Sequence, residues 1–149
     1  MIHAQNAKSL VILSPGSAIA TTATATARVD TLTYEYLTVS VILGTTTAAT
    51  DNPSVLKFTE GDDTNATEAI ASLTGDGASG FTIPDNATAG TATIARFHIN
   101  LKGRKRYLKL SATPTAAGGQ VIQAIGELSR ANVTPTSATG AGVSALVIV

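Results

Sequence analysis

The run of this chain that most suggests chemistry is rich in glycine. Residues 75–80 read Gly-Asp-Gly-Ala-Ser-Gly, which matches the G-x-G-x-x-G pattern of dinucleotide-binding loops. Such a loop follows a strand and opens a helix, because the helix N-terminus binds the pyrophosphate. Here the run follows a segment with helical spacing and leads into residues 81–84, Phe-Thr-Ile-Pro, which favour a short strand ended by proline. We interpret the run as a loop and expect no cofactor.

An acidic cluster could hold a hard cation such as Ca²⁺. It consists of Glu60, Asp62, Asp63 and Glu68. An EF-hand loop that started at Asp63 would place Glu68 at the invariant glycine position and Thr74 where the bidentate Glu belongs. Capping of a helix and favourable interaction with its dipole account for the acids. We therefore expect no metal site.

The candidates for acid–base or nucleophilic catalysis are equally sparse. The only histidines are His3 and His98, and His98 lies between Arg96 and Asn100 on the outer face of a predicted strand. The chain has no cysteine and no G-x-S-x-G, H-E-x-x-H or P-loop motif. A pair of distant carboxylates is left open by the sequence, and nothing in it favours one. We predict that the protein is not an enzyme.

Composition indicates a single domain with an unusual surface. The 149 residues suffice for one hydrophobic core, and the absence of cysteine fits assembly in a reducing cytoplasm. Charged residues make up 13% of the chain, against about 25% in an average globular domain. A threonine-rich surface with so little charge is typical of a protein covered by neighbouring subunits, and equally of an ordinary threonine-rich β protein.

The N-terminus imitates an export signal without having its length. Lys8 precedes the apolar residues 10–13, but these four are fewer than the about 7–15 of a signal sequence, and Pro15 and Gly16 follow. No stretch approaches the about 20 apolar residues of a membrane helix. We expect a soluble, unprocessed protein that does not contact a membrane.

Alternation of apolar and polar residues with a period of two dominates the chain and predicts strands. The clearest example is residues 95–101, where Ala, Phe, Ile and Leu alternate with Arg, His and Asn. Residues 102–105, Lys-Gly-Arg-Lys, are interpreted as a hairpin turn between this strand and the next. The predicted strands are residues 8–13, 21–29, 34–41, 55–60, 95–101, 107–112, 121–128 and 143–149.

One short helix is predicted among these strands. Residues 62–64 provide a helix cap, and residues 65–73 place four apolar side chains on one helical face. These four are Ala66, Ala69, Ile70 and Leu73. The fold class predicted is therefore all-β, an antiparallel β-sandwich or jelly roll of about eight strands with one short helix. It forms a single domain over residues 1–149, with residues 1–7 as an N-terminal arm.

The charges are divided between two segments. Seven of the ten acids lie in residues 51–85, and six of the ten Lys and Arg lie in residues 96–109, while the net charge is zero. Zero net charge disfavours nucleic acid as a partner, because neutralising phosphates supplies most of such affinity. The division favours contact with a charged protein surface or with further copies of the chain, and it also fits a solvated turn. The candidate contact residues are Arg96, Lys102, Arg104, Lys105, Arg106 and Lys109.

Three runs give the chain a family resemblance. They are YLTVSVILG at residues 36–44, SVLKFTEGDD at residues 54–63, and FHINLKGRKRYLKL at residues 97–110. The sequence resembles a group of small virion proteins of tailed bacteriophages, in which a Leu-Lys-x-x-Glu-x-Asp-Asp strand and a Gly-x-x-Arg-Tyr-Leu-Lys hairpin recur. The resemblance covers roughly residues 30–112, and its motifs are structural ones.

This resemblance implies a head decoration, or cement, protein. Such proteins bind the outside of an icosahedral shell, often as trimers, and brace it against the pressure of the packaged DNA. The implied partners are the major capsid protein and copies of the chain itself, and the implied location is the capsid surface of a virion assembled in the host cytoplasm. A phage tail or head-fibre component is an alternative, and so is a carbohydrate- or ligand-binding β module, although the chain supplies few aromatic residues for one.

Overall fold

Eight strands form the domain. The computed structural model describes residues 6–46, 51–85, 90–131 and 137–145, and within these ranges it contains no α-helix. The strands are β1 (Lys8–Leu13), β2 (Ala25–Asp30), β3 (Tyr36–Leu43), β4 (Val55–Gly61), β5 (Glu68–Thr74), β6 (Thr93–Asn100), β7 (Tyr107–Thr113) and β8 (Ile122–Ser129). The predicted all-β class and the number of strands are confirmed.

The strands make two four-stranded antiparallel sheets with the connectivity of a jelly roll. The first sheet has the order β1-β8-β3-β6 and the second has the order β2-β7-β4-β5. Strands whose numbers add to nine are hydrogen-bonded neighbours, so the chain is a long two-stranded ribbon that is wound into a sandwich. Of the two architectures expected, sandwich or jelly roll, the chain adopts a sandwich with jelly-roll winding.

The core lies between the two sheets and follows from the alternation in the sequence. On β3, the central strand of the first sheet, Leu37, Val39, Val41 and Leu43 are completely buried. They belong to one core cluster with buried residues of the second sheet, among them Leu108 on β7. Because successive side chains of a strand point to opposite faces, the residues between them lie on the outer surface.

The three phenylalanines of the chain meet in one cluster that joins the sheets. Phe97 on β6 packs edge-to-face against Phe58 on β4, with ring centroids 5.3 Å apart. Phe81, from the connection before β6, packs against the other side of Phe97 at 5.1 Å. Edge-to-face contacts of this kind add stabilisation beyond the burial of apolar area.

The predicted helix at residues 65–73 is wrong, because the segment is the edge strand β5. The cap is real, but it closes a turn: Asp63 Oδ1 accepts hydrogen bonds from the backbone N–H groups of Asn65 (2.8 Å) and Ala66 (3.4 Å). The chain then reverses and pairs with β4, which buries Ile70 in the core. A helix of about two turns is marginal by itself, so pairing with β4 decides the local structure.

The predicted hairpin turn at residues 102–105 is also wrong. The segment is part of the connection between β6 and β7, residues 101–106. Because these two strands lie in different sheets, the connection crosses the sandwich, and we call it the arch. Leu101 is buried beneath the arch, and its N–H donates to the carbonyl oxygen of Glu35 at 2.8 Å. Gly103, with φ of 79°, gives the arch a left-handed step. Lys, Gly and Arg occur in hairpin turns and in arches alike. The sequence therefore located the turn correctly but did not show that β6 and β7 pair with other strands.

The ends of the chain depart from expectation in smaller ways. The alternating segment 21–29 contributes β2 only from Ala25 onward. Residues 143–145 are not a strand, and residues 146–149 of the predicted last strand lie outside the described residues. Of the predicted arm at residues 1–7, only Asn6 and Ala7 are described, and the carbonyl oxygen of Asn6 accepts a hydrogen bond from the N–H of Ala131.

The aromatic cluster gives a test of how the sheets are held together. We expect Phe97→Ala to lower the free energy of unfolding by about 3–5 kcal/mol, and Phe97→Leu by about 1.5 kcal/mol or less. His98→Ala, at an exposed position on the same strand, serves as the control and should change it by about 0.5 kcal/mol at most. Urea unfolding measures all three, and equal effects at positions 97 and 98 would contradict the packing described.

Candidate functional site

The charges of the sandwich are concentrated at one end. The connections β2–β3, β4–β5 and β6–β7 meet there, and we call this surface, residues 30–35, 60–68 and 101–109, the charged end. The described parts of the connections at the opposite end, residues 14–24, 44–46, 51–54, 75–85, 90–92 and 114–121, contain three acids and no Lys or Arg. Because of the winding of the ribbon, most charged residues lie at the charged end, and we call the opposite end the uncharged end.

Arg106 and Asp30 form the best-defined ion pair at the charged end. Arg106 donates from Nε to Asp30 Oδ1 at 3.0 Å and from Nη2 to Oδ2 at 2.7 Å. The guanidinium also lies 4.8 Å from the ring centroid of Tyr107. These hydrogen bonds lower the pKa of Asp30 and raise the pKa of Arg106, since each charge stabilises the other. The pair joins the end of β2 to the arch.

Glu60 joins the end of β4 to the same arch. Its carboxylate accepts a hydrogen bond from Arg104 Nη1 at 3.2 Å and another from the backbone N–H of Lys105 at 3.1 Å. The Glu60 side chain is only 14% exposed, the least of any acid in the ion pairs described. A carboxylate that accepts both a charged and a backbone donor holds the arch in one orientation.

The turn between β4 and β5 is held by cations from three other elements. Lys105 Nζ contacts the carboxylates of Glu68 and Asp62, and these contacts raise the pKa of Lys105, Glu68 contributing most. Lys109 Nζ donates to the carbonyl oxygen of Asn65 at 2.6 Å, and Arg28 donates to that of Thr64 at 2.9 Å. The turn therefore lies in a ring of positive charge supplied by β2, β7 and the arch.

A further ion pair lies beside the charged end, at the first sheet. Arg130, which follows β8, contacts Glu35 at 3.0 Å and lies 5.5 Å from the ring centroid of Tyr36. Next to it, Tyr34, Glu35, Tyr36, Asn100, Leu101 and Lys102 line an open groove of about 450 Å³. Burial raises the pKa of the Tyr34 phenol above its ordinary value.

The structure distributes the six candidate contact residues among different roles. Arg104, Lys105 and Arg106 form ion pairs within the chain, and Lys109 binds a backbone carbonyl. Lys102 is exposed and makes no ion pair with any described residue. Arg96 lies apart from the other five, on the outer face of β6. The acidic and basic segments of the sequence thus neutralise each other at one end of the molecule, which the charge count could not reveal.

The motifs with possible chemistry lie apart from one another. Residues 75–80 form a tight turn after β5 that leads to a bridge between Gly75 and Phe81, and no helix follows in the described residues. His98 is exposed, with Nδ1 3.4 Å from Thr38 Oγ1. Within the described ranges no three His, Asp or Glu side chains are grouped so that they could hold a metal ion. Nor does this part of the chain include a helix with the length and hydropathy of a membrane span.

Sequence reasoning missed one feature, the apolar outer face of the first sheet. Val11, Ile94 and Ile125 are 73%, 61% and 52% exposed. Their signal was present in the sequence, because β6 and β8 each carry isoleucine at both alternation phases. A strand with apolar residues on both faces is typical of a sheet covered on both sides.

The chain matches no protein-family model and no curated protein sequence.

The Asp30–Arg106 pair makes stability depend on pH in a defined direction. Because the pKa of Asp30 is lowered in the folded state, its contribution is present above the unfolded-state pKa of about 3.9 and is lost as the pH falls through the folded-state value. We expect Asp30→Asn to be less stable than wild type near pH 6, and the difference to shrink below about pH 4. Urea unfolding across this range measures it.

Asp51→Asn is the matched control for this prediction. Asp51 lies at the uncharged end and forms no ion pair with a described residue, so its replacement should leave the urea midpoint nearly unchanged throughout. A difference between wild type and Asp30→Asn that stays constant from about pH 6 to about pH 2 would contradict the assignment.

Proposed function

We propose that this chain is a structural virion protein that binds the outer surface of a phage capsid and stabilises it, as decoration, or cement, proteins do. One observation carries the proposal: the two motifs behind the family resemblance form a single contact network. Glu60 and Asp62 belong to the motif in residues 54–63, and they form ion pairs with Arg104 and Lys105 of the motif in residues 97–110. Motifs that recur together in sequence are expected when their residues hold one structure in common.

The jelly-roll winding supports the same proposal at the level of fold. Eight-stranded jelly rolls are the architecture of many viral capsid domains, although lectins and other proteins also use it. A fold alone does not define a function, so the argument rests on the charged end and not on the topology. Both features suit a rigid domain whose task is to present a fixed surface to another protein.

Internal neutralisation suits a protein that must bind a shell in one orientation. Three of the four bases in residues 102–106 are already paired, so the arch is rigid before any partner arrives. Preorganised groups lose little entropy on binding, and unpaired charges at the rim set register and orientation. We propose that Lys102, which is exposed beside the arch, faces an acidic group of the major capsid protein.

Stabilisation of the shell would follow from binding alone. A protein that binds the assembled shell, and not its separated subunits, stabilises the assembly by mass action. We propose the capsid surface of a virion assembled in the host cytoplasm as the location, with copies of the chain as further partners. The role proposed is binding, and no described residue is assigned a catalytic step.

Replacement of Lys102 tests this proposal without disturbing the ion pairs. We expect Lys102→Glu to weaken binding to shells that lack the chain about three- to tenfold at low ionic strength, and less at high salt. Lys57→Glu is the matched control, since Lys57 also makes no ion pair with a described residue but lies on the outer face of the second sheet. Sedimentation of shells with bound chain measures occupancy.

Two results would contradict the proposal. One is that Lys102→Glu binds to shells as well as wild type does, which would show that Lys102 does not contact the shell. The other is a copy number in purified virions far below that of the major shell protein, counted by mass spectrometry. A low copy number would favour a tail or head-fibre component instead.

The groove between Tyr34 and Tyr36 favours a second candidate function, carbohydrate binding. Two tyrosine side chains, the Glu35 carboxylate and the Asn100 amide line it, and sugars are bound by aromatic surfaces together with a few polar groups. If this is the function, a glycan array should give specific binding that Tyr36→Ala abolishes. Binding to shells and no binding to glycans would eliminate it.

A further inference from the structure

The outer face of the first sheet carries apolar side chains in a defined arrangement. The pairing register places Val11, Ile125, Ser40 and Arg96 in one row across the four strands. In the adjacent row toward the uncharged end, Ile42 pairs with Ile94. In these two rows the exposed apolar side chains Val11, Ile94 and Ile125 lie beside the exposed polar side chains of Arg96 and Gln123. We call this surface, with Thr38 and Glu127, the outer face.

Two opposite charges lie on the outer face without an ion pair to any described residue. Glu127 on β8 makes no ion pair with any described residue. Arg96 on β6 donates from Nε to Ser40 Oγ at 3.1 Å and contacts no acid among them. Both side chains line the same open groove of about 610 Å³, together with Val11 and Ile125.

The spacing of these groups is self-complementary. Arg96 and Glu127 are separated by two strand spacings, about 10 Å, and by one step of two residues along the strand, about 7 Å. Consider a two-fold axis in the plane of contact that passes over β3 between Ser40 and Thr38, at right angles to the line from Arg96 to Glu127. It places Arg96 of each copy over Glu127 of the other.

The same axis brings the apolar side chains together. With strands about 4.8 Å apart and about 7 Å between residues on one face, it places Ile42 of one copy over Val11 of the second. Ile125 then lies near Ile125 and Ile42 of that second copy. The strands of the two sheets cross at roughly 70°, which is close to the orthogonal class of sheet packing.

We propose that the outer face is a homodimer interface, in which a second copy of this chain binds through a two-fold axis over β3. Charge complementarity selects the occupant, because the face offers one base and one acid at positions that its own two-fold image satisfies. Such an isologous contact produces a closed pair and not the trimer that the family resemblance implies.

The size of the face sets the strength expected. Four strands and four residues per strand on one face give about 19 by 24 Å, roughly 450 Å² in projection. This is below the about 800 Å² per partner of a standard interface, so the dimer belongs with weak, transient associations. We expect a dissociation constant of about 10–100 µM, and a dimer that high salt weakens.

Analytical ultracentrifugation of the purified chain from about 5 to 500 µM tests the interface. Wild type should shift from monomer to dimer, whereas Arg96→Glu and Glu127→Arg should each weaken dimerisation about tenfold or more by placing like charges together. The double variant with both changes restores opposite charges and should recover the dimer. Lys57→Glu, on the other sheet, should dimerise as wild type does.

Several outcomes would overturn the inference. They are a monomer at every concentration, dimerisation that Arg96→Glu leaves unchanged, and a double variant no better than the single ones when circular dichroism shows all of them folded. The inference does not rest on shell binding, since no shell is present in this measurement. If the chain stays monomeric and Arg96→Glu lowers its occupancy on shells, the outer face binds the shell protein, and the homodimer is rejected while the proposed function stands.

Discussion

Burial of one face of each sheet against the other is the constraint on which the rest of this molecule depends. The inner residues of β3 and β7 are removed from water completely, and the phenylalanine cluster around Phe97 closes the gap between the sheets. Burial of this kind favours any pairing that keeps the apolar alternation inward. The jelly-roll winding satisfies it with six of seven connections crossing between the sheets, and only β4–β5 remaining within one.

Winding of the ribbon explains why the charges meet. Acids from β2 and β4 and bases from the arch are far apart in the sequence, yet they belong to connections at the same end of the sandwich. Exposed ion pairs are individually weak, so their role is to fix the position of the arch. The first sheet carries the opposite arrangement, because Arg96 and Glu127 lie among apolar neighbours and form no ion pair within the described part of the chain.

Local pattern determined how much of this could be predicted. Strands such as β3 and β6 follow from alternation, which is a property of neighbouring residues. The helix at residues 65–73 was predicted because four apolar residues share a helical face, and only pairing with β4 makes the segment a strand. The arch was mistaken for a hairpin because the turn residues do not show which strands pair. The ion pairs of Glu60 and Asp30 were beyond reach, since they depend on which connections share an end of the sandwich.

The pairing of β1 has a consequence for how the chain acquires its structure. Among the eight described strands, β8 alone pairs with β1, and it lies between β1 and β3. During synthesis, β1 therefore leaves the ribosome well over a hundred residues before the strand that covers its edge. Contacts of such long range form slowly, because a large loop must close first. The first sheet is therefore completed only after β8 has been synthesised, and until then β1 lacks the strand that pairs with it.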